Sequence, residues 1–143
     1  MKRRFDIGVL LVLFVLLMAS CGGNADSTTA PAGMRHVQIN ETDFKIESSV
    51  TSFSPAVHYH FAVTNNGKTA HEFMILPKSE GGMETGMGNM DKMALAAINT
   101  IKPSETKTLD YTFPSSAASS HPEFACYLPG HYQAGMKEKV SVS

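Results

Sequence analysis

Near its C-terminal end the chain carries Cys126-Tyr127-Leu128-Pro129-Gly130-His131-Tyr132-Gln133-Ala134-Gly135-Met136, a thiol, an imidazole and a thioether at spacing C-x4-H-x4-M. These are donors for a soft or borderline metal. A thiolate with two imidazoles in one plane, plus a weak and distant thioether, is the donor set of an electron-transfer copper site. The loop supplies three of those four groups. The fourth must be an imidazole from far upstream, and His71 in Thr69-Ala70-His71-Glu72-Phe73-Met74-Ile75-Leu76 opens an apolar run suited to packing against the loop. Pro129 fixes one dihedral and Gly130 tolerates positive φ, so the loop can turn back and let Cys126 and His131 converge. Taken singly, a cysteine is usually a small buried hydrophobe and a methionine a core filler. It is the joint pattern and its context that point to a metal.

In that order and separation, His71, Cys126, His131 and Met136 resemble the ligands of the cupredoxins, the blue copper proteins that include plastocyanin, azurin and rusticyanin. The four-and-four loop spacing is most similar to that of rusticyanin. The phrases His71-Glu72-Phe73 and Pro129-Gly130-His131-Tyr132 with Gly135-Met136 resemble small bacterial cupredoxin-domain proteins, and the resemblance covers residues 35–143. It implies one type 1 copper that cycles between Cu(II) and Cu(I) and carries single electrons between redox proteins such as c-type cytochromes or copper oxidases. It also implies that His131 is the most exposed ligand, with Leu128, Pro129 and Ala134 forming a docking patch. Several family members place Asn or Ser just after the upstream histidine to lock the copper loop; this chain has Glu72.

The elements that must position these ligands are strands. From Arg35 onward, short runs rich in Val, Ile, Thr, Tyr and Phe alternate in polarity and are cut by Pro, Gly, Asn and Ser. Val37 and Ile39 share one face of the first run, and Phe44 and Ile46 continue the pattern. Val57, Tyr59, Phe61 and Val63 form an apolar face opposite His58, His60, Ala62 and Thr64. Asn65-Asn66-Gly67-Lys68 reads as a turn. Further strands are expected over 71–76, 106–113, 123–127 and 137–142. Seven to eight short strands without a long helical period predict an all-β Greek-key sandwich or barrel. Such an architecture brings His71 beside a loop distant in sequence.

The first residues read differently. Lys2, Arg3 and Arg4 precede an apolar run from Ile7 to Met18 and the small residues Ala19 and Ser20, which predicts a signal peptide over 1–20. Leu17-Met18-Ala19-Ser20-Cys21-Gly22 resembles a bacterial lipobox, so Cys21 is expected to bear lipid and anchor an exported protein to a membrane, facing the periplasm or cell exterior. Residues 21–34 then form a small, polar tether. With Cys21 acylated and Cys126 on metal, neither thiol remains for a disulfide. Loss of Lys2, Arg3, Arg4 and Asp6 would take the net charge from −1 to about −3. Nucleic acid is not an expected partner, because it would leave a basic footprint.

One insertion, from Lys78 to about Ser104, interrupts the β pattern. Met83, Met87, Met90 and Met93 recur at helical spacing, although Gly81, Gly82, Gly86 and Gly88 disfavour a helix in the first half. Residues 89–99 are expected to form a short helix with Met90, Met93, Ala94 and Ala97 on its apolar side. The plain reading is a methionine cover over the barrel; the sharper one is an accessory Cu(I) site, since thioethers are soft ligands. His58 and His60 point to one strand face and could chelate a second metal, with only His36 and His121 left to assist; the plainer reading is two histidines facing water. No nucleophile–base triad, phosphate loop or acid pair stands out, so an enzyme is not expected. The Met-rich insertion and the lipid anchor motivate a second function: a periplasmic carrier or resistance protein that buffers or delivers copper.

Overall fold

A computed structural model describes residues 33–78, 90 and 92–143. The expected signal peptide, Cys21, most of the tether, and Met83 and Met87 lie outside the described residues. Ten strands follow in order: β1 Met34–Thr42, β2 Lys45–Ser48, β3 Ser52–Phe53, β4 His58–Asn65, β5 His71–Leu76, β6 Ala96–Ile101, β7 Thr106–Thr112, β8 Glu123–Ala125, β9 Lys137–Lys139 and β10 Ser141–Val142. The count exceeds seven or eight because Ser52–Phe53 forms a two-residue piece, β6 lies within the expected insertion, and the last expected strand divides into β9 and β10.

Two four-stranded sheets, ordered β2-β1-β4-β7 and β6-β5-β8-β9, face each other as a sandwich. The chain crosses between them after β4, after β6 and after β7, the Greek-key connectivity expected for an all-β domain. Alternation explains which side chains enter. In β4 the residues Tyr59, Phe61, Val63 and Asn65 are buried while His58 is exposed, the period of two of a half-buried strand. Val37 and Ile39 of β1 and Phe73 and Ile75 of β5 join the same core, which centres on Phe53. Its ring meets Tyr59 at 4.9 Å, Phe113 at 5.1 Å, Phe124 at 5.7 Å and Phe61 at 5.8 Å, mostly edge-on or tilted as aromatic quadrupoles prefer.

A second apolar cluster covers the outer face of β5 and β8. Met74, Leu76, Ala125, Tyr127 and Tyr132 pack there with Met90. Met90, Lys92 and Met93 are helical, and Ala94 N–H donates to Met90 C=O at 2.9 Å. The helix ends earlier than expected, because residues 96–101 are strand β6, hydrogen-bonded to β5. Met93 is 38% exposed, and Ala97 faces out from β6, so neither shares an apolar side with Met90. Sheet pairing outweighed the helical spacing of the sequence. Phe44 also departs from expectation: it occupies the turn between β1 and β2 at φ 69° and is 53% exposed, while Ile46 is buried.

Candidate metal centre

All four expected ligands lie at one end of the sandwich. His71 begins β5 just before a bulge, and Cys126 follows directly on β8, the strand hydrogen-bonded to β5. Between Cys126 and β9 the chain closes a compact loop. His131 N–H donates to Leu128 C=O at 2.9 Å, Ala134 N–H to Gly130 C=O at 3.0 Å, and Gly135 N–H to Tyr132 C=O at 3.0 Å. Met136 N–H returns to His131 C=O at 3.0 Å, and Cys126 N–H to Met136 C=O at 3.1 Å. Gly130 and Gly135 take φ of 82° and 110°, which residues with a Cβ rarely adopt. The turn expected at Pro129-Gly130 is therefore present.

This framework gathers the donors. His71 Nδ1 lies 3.3 Å from His131 Nδ1, and Cys126 Sγ lies 3.5 Å from the same nitrogen. Among the described residues, His71, Cys126 and His131 form the cluster whose donor atoms all fall within 4.8 Å of one another. Donors about 2.0–2.3 Å from a shared ion in trigonal array would stand roughly 3.5 Å apart. The spacing matches. His71, Cys126 and Met136 are fully buried, Cys126 and Met136 within one core cluster, whereas His131 reaches solvent. The set fits a single type 1 copper site.

Electrostatics bear on how a metal is held. Burial pushes the Cys126 thiol up to about 12, and nearby Glu72 and Glu41 add to this, while Glu72 and Leu128 backbone N–H groups work against it. The thiol is thus protonated in the metal-free chain, and a metal must displace that proton. Burial, then His131, lowers the His71 pKa, so its imidazole is favoured neutral with a lone pair to give. Its other nitrogen, Nε2, lies 3.6 Å from Asp43 Oδ1. Asp43 sits in the β1–β2 turn, where Lys68 N–H, Thr69 N–H and the Thr69 hydroxyl all donate to its carboxylate. Lys68 N–H first among these depresses the Asp43 pKa, keeping the group charged beside His71. At this distance the contact is electrostatic rather than a hydrogen bond, and it favours the tautomer with its proton on Nε2, leaving Nδ1 to face the pocket.

Gly67 makes this contact possible. A Cβ there would stand 2.6 Å from His71 Nε2 and 2.7 Å from Asp43 Oδ1. Asn65 shapes the same turn from within, its buried amide donating to Thr69 C=O and Ile101 C=O at 2.8 Å. Glu72, standing where several family members carry Asn or Ser, accepts from Tyr127 N–H through Oε1 at 2.8 Å and so ties β5 to the loop. Glu41 is fully buried with neither carboxyl oxygen hydrogen-bonded, and burial, reinforced by Glu72, raises its pKa to about 8. Phe44 packs edge-on to His131 with ring centroids 5.8 Å apart. Tyr127 and Tyr132 stack at 4.3 Å, and the Tyr132 hydroxyl donates to buried Glu123 at 2.8 Å.

Asp43, Glu41 and Phe44 were not singled out by sequence reasoning. The available signal for Asp43 was its place in a two-residue turn between alternating runs. Of the methionines considered for an accessory site, Met90 is buried in the outer cluster and Met93 is exposed. His58 and His60 lie outside the pocket, on the solvent face of β4.

The architecture is shared with solved structures. Auracyanin from Roseiflexus castenholzii aligns with TM-score 0.56 at 17% identity, covering 80% of this chain and 99% of that one. Rusticyanin from Thiobacillus ferrooxidans aligns with TM-score 0.61 at 14% identity, covering 78% and 79%. The fold is that of the cupredoxins. Within the cupredoxin fold, the observed site joins the upstream histidine to the Cys–His–Met loop as the resemblance implied. By sequence, the chain is 36% identical over 86 residues to a copper-resistant cuproprotein, CopI, of Vibrio cholerae. That match covers 57% of this chain and 48% of the relative, so the chain spans about half the length of the relative it matches. No family model matches.

Proposed function

We propose that this chain is an extracytoplasmic type 1 copper protein that carries single electrons between redox partners. The observation that carries the reading is the convergence of His71 Nδ1, His131 Nδ1 and Cys126 Sγ at 3.3 and 3.5 Å in a largely buried pocket. A bound copper supplies the one-electron couple. The chain supplies the rest. Cys126, as a thiolate once its proton is displaced, and the imidazoles of His71 and His131 would hold the copper, and the Met136 thioether would bind it more weakly and tune the potential. The loop hydrogen bonds and the Glu72 tie hold these donors in place, so little rearrangement accompanies electron transfer. His131 reaches solvent beside Leu128, Pro129, Ala134 and Phe44, an apolar approach for a redox protein such as a c-type cytochrome or copper oxidase. A lipid on Cys21 would keep the domain at a membrane.

Addition of Cu(II) to the purified protein is expected to give an intense blue or green colour that disappears in Cys126→Ser. Copper bound without that colour in the unmutated chain would overturn the reading.

The copper-resistance relative favours a second reading, a carrier that buffers or delivers copper. Rapid, reversible electron exchange with a cytochrome c supports the first role. Slow exchange, with ready transfer of Cu(I) to a soft acceptor, supports the second.

A further inference from the structure

The solvent face of the β2-β1-β4-β7 sheet holds a second gathering of metal-ligating side chains. His36 on β1 is the register partner of His60 on β4, and His60 is the partner of Asp110 on β7. Three adjacent strands therefore present an imidazole, an imidazole and a carboxylate in one row. His58 stands two residues along β4 and so projects from the same face, opposite Thr112.

The donor atoms already lean together. His60 Nδ1 lies 2.6 Å from Asp110 Oδ1, and His58 Nε2 lies 3.9 Å from the same oxygen. The His36 ring packs edge-on to that of His60 at 5.3 Å. An exposed His–Asp pair by itself contributes little to stability, so it gives no reason for two imidazoles at one carboxylate with a third against the nearer ring.

We propose that His58, His60 and Asp110, with His36 beside them, form a second metal site for a borderline divalent ion, Cu2+ or Zn2+. Imidazole suits both ions, and two histidines with one carboxylate leave positions open to water. Donors about 2.0–2.2 Å from one ion at tetrahedral angles stand roughly 3.3–3.5 Å apart. The His60–Asp110 separation must widen by less than about 1 Å and the His58–Asp110 separation must close by about half that. The two imidazoles must also turn toward each other, since the donors of this group do not all fall within 4.8 Å of one another. Side-chain torsions alone can supply these shifts. β4 is paired with β1 on one side and β7 on the other, so the Cα positions are fixed while the side chains remain free to turn. Side-chain exposures of 45% for His58 and 54% for Asp110 place the ion at the surface, where it exchanges readily. Such a site holds and releases metal, and it is independent of the buried pocket.

The test is calorimetric titration of the full chain with Zn2+ after one equivalent of Cu(II) has been added. One zinc per chain is expected, with the absorption of the first metal unchanged. His58→Gln/His60→Gln should weaken zinc binding at least about tenfold, the scale on which losing ligand or supporting groups is felt. Asp110→Asn, a single change at an exposed position, should weaken it in the same direction. Circular dichroism establishes that each variant is folded. Zinc titrated into Cys126→Ser with no copper added should give the same isotherm, so the result stands whether or not the buried pocket takes copper. No zinc bound by the unmutated chain, or equal affinity in all the variants, overturns the proposal.

Discussion

Two groups of histidines sit on one sandwich and are treated in opposite ways. At the end of the barrel, His71 is fully buried, its Nδ1 directed to His131 and its Nε2 to Asp43. On the outer face of β4, His58 and His60 are solvent-accessible and bonded to Thr112 and Asp110 on the neighbouring strand. The residue type is the same; the surroundings decide its use. Burial and close support hold one imidazole in place, as the proposed electron carrier requires of a ligand. Exposure leaves the other pair adjustable, as the proposed exchangeable site requires.

The largest expected effect acts on the buried side. Because Glu41 is held protonated in the fold up to about pH 8, whereas a free carboxyl ionises near 4.5, its contribution to folding is full below pH 4.5 and lost as pH rises through 8. His71, with a lowered pKa, acts in the opposite direction: its neutral form is favoured in the fold, so stability falls as pH drops below the usual 6.5. The window between pH 6.5 and 8 therefore isolates Glu41. Glu41→Gln should flatten the loss of metal-free stability there, up to a few kcal/mol of an overall effect on the order of 3–5 kcal/mol. Urea midpoints at pH 6.5 and 8 measure it, and equal slopes for both proteins would show that Glu41 is not what titrates.

Gly67→Ala comes next. Its Cβ would enter the space between His71 Nε2 and Asp43 Oδ1, so the turn or the imidazole must shift. A loss of about 1–3 kcal/mol in thermal or urea unfolding is expected, with weakened copper binding. Unaltered stability and affinity would mean that the contact between turn and ligand is dispensable. Asp43→Asn keeps the shape but removes the charge. Copper affinity should fall roughly 10–100-fold, the usual effect of losing the group behind a ligand histidine, with a shifted reduction potential. Unchanged affinity and potential would make Asp43 a brace for the turn alone. The same substitutions should leave the histidines of the outer face untouched, which sharpens the contrast between the two regions.

Much of the site was legible in the sequence because three ligands sit on one loop, where C-x4-H-x4-M records their separation directly. The alternating β4 pattern likewise announced Tyr59, Phe61 and Val63 as core, as they are. What escaped was long-range. Nothing in the spacing of Asp43 and His71 reveals that the β1–β2 turn folds back onto β5. Nothing in an isolated His-x-His reveals that β1 and β7 bring His36 and Asp110 alongside it. The helix expected over 89–99 gave way to β6 because pairing with β5 decides the conformation of a short, mixed run.

The two residues that join β1 to β2 face both histidine ligands of the pocket. Asp43 braces His71 from behind, and its neighbour Phe44 rests its ring against His131 from the open side. Anything that lands on the aromatic ring leans on the same short lever that steadies the hidden imidazole. A partner docked on that ring, as proposed, would therefore press on the turn that also carries Asp43.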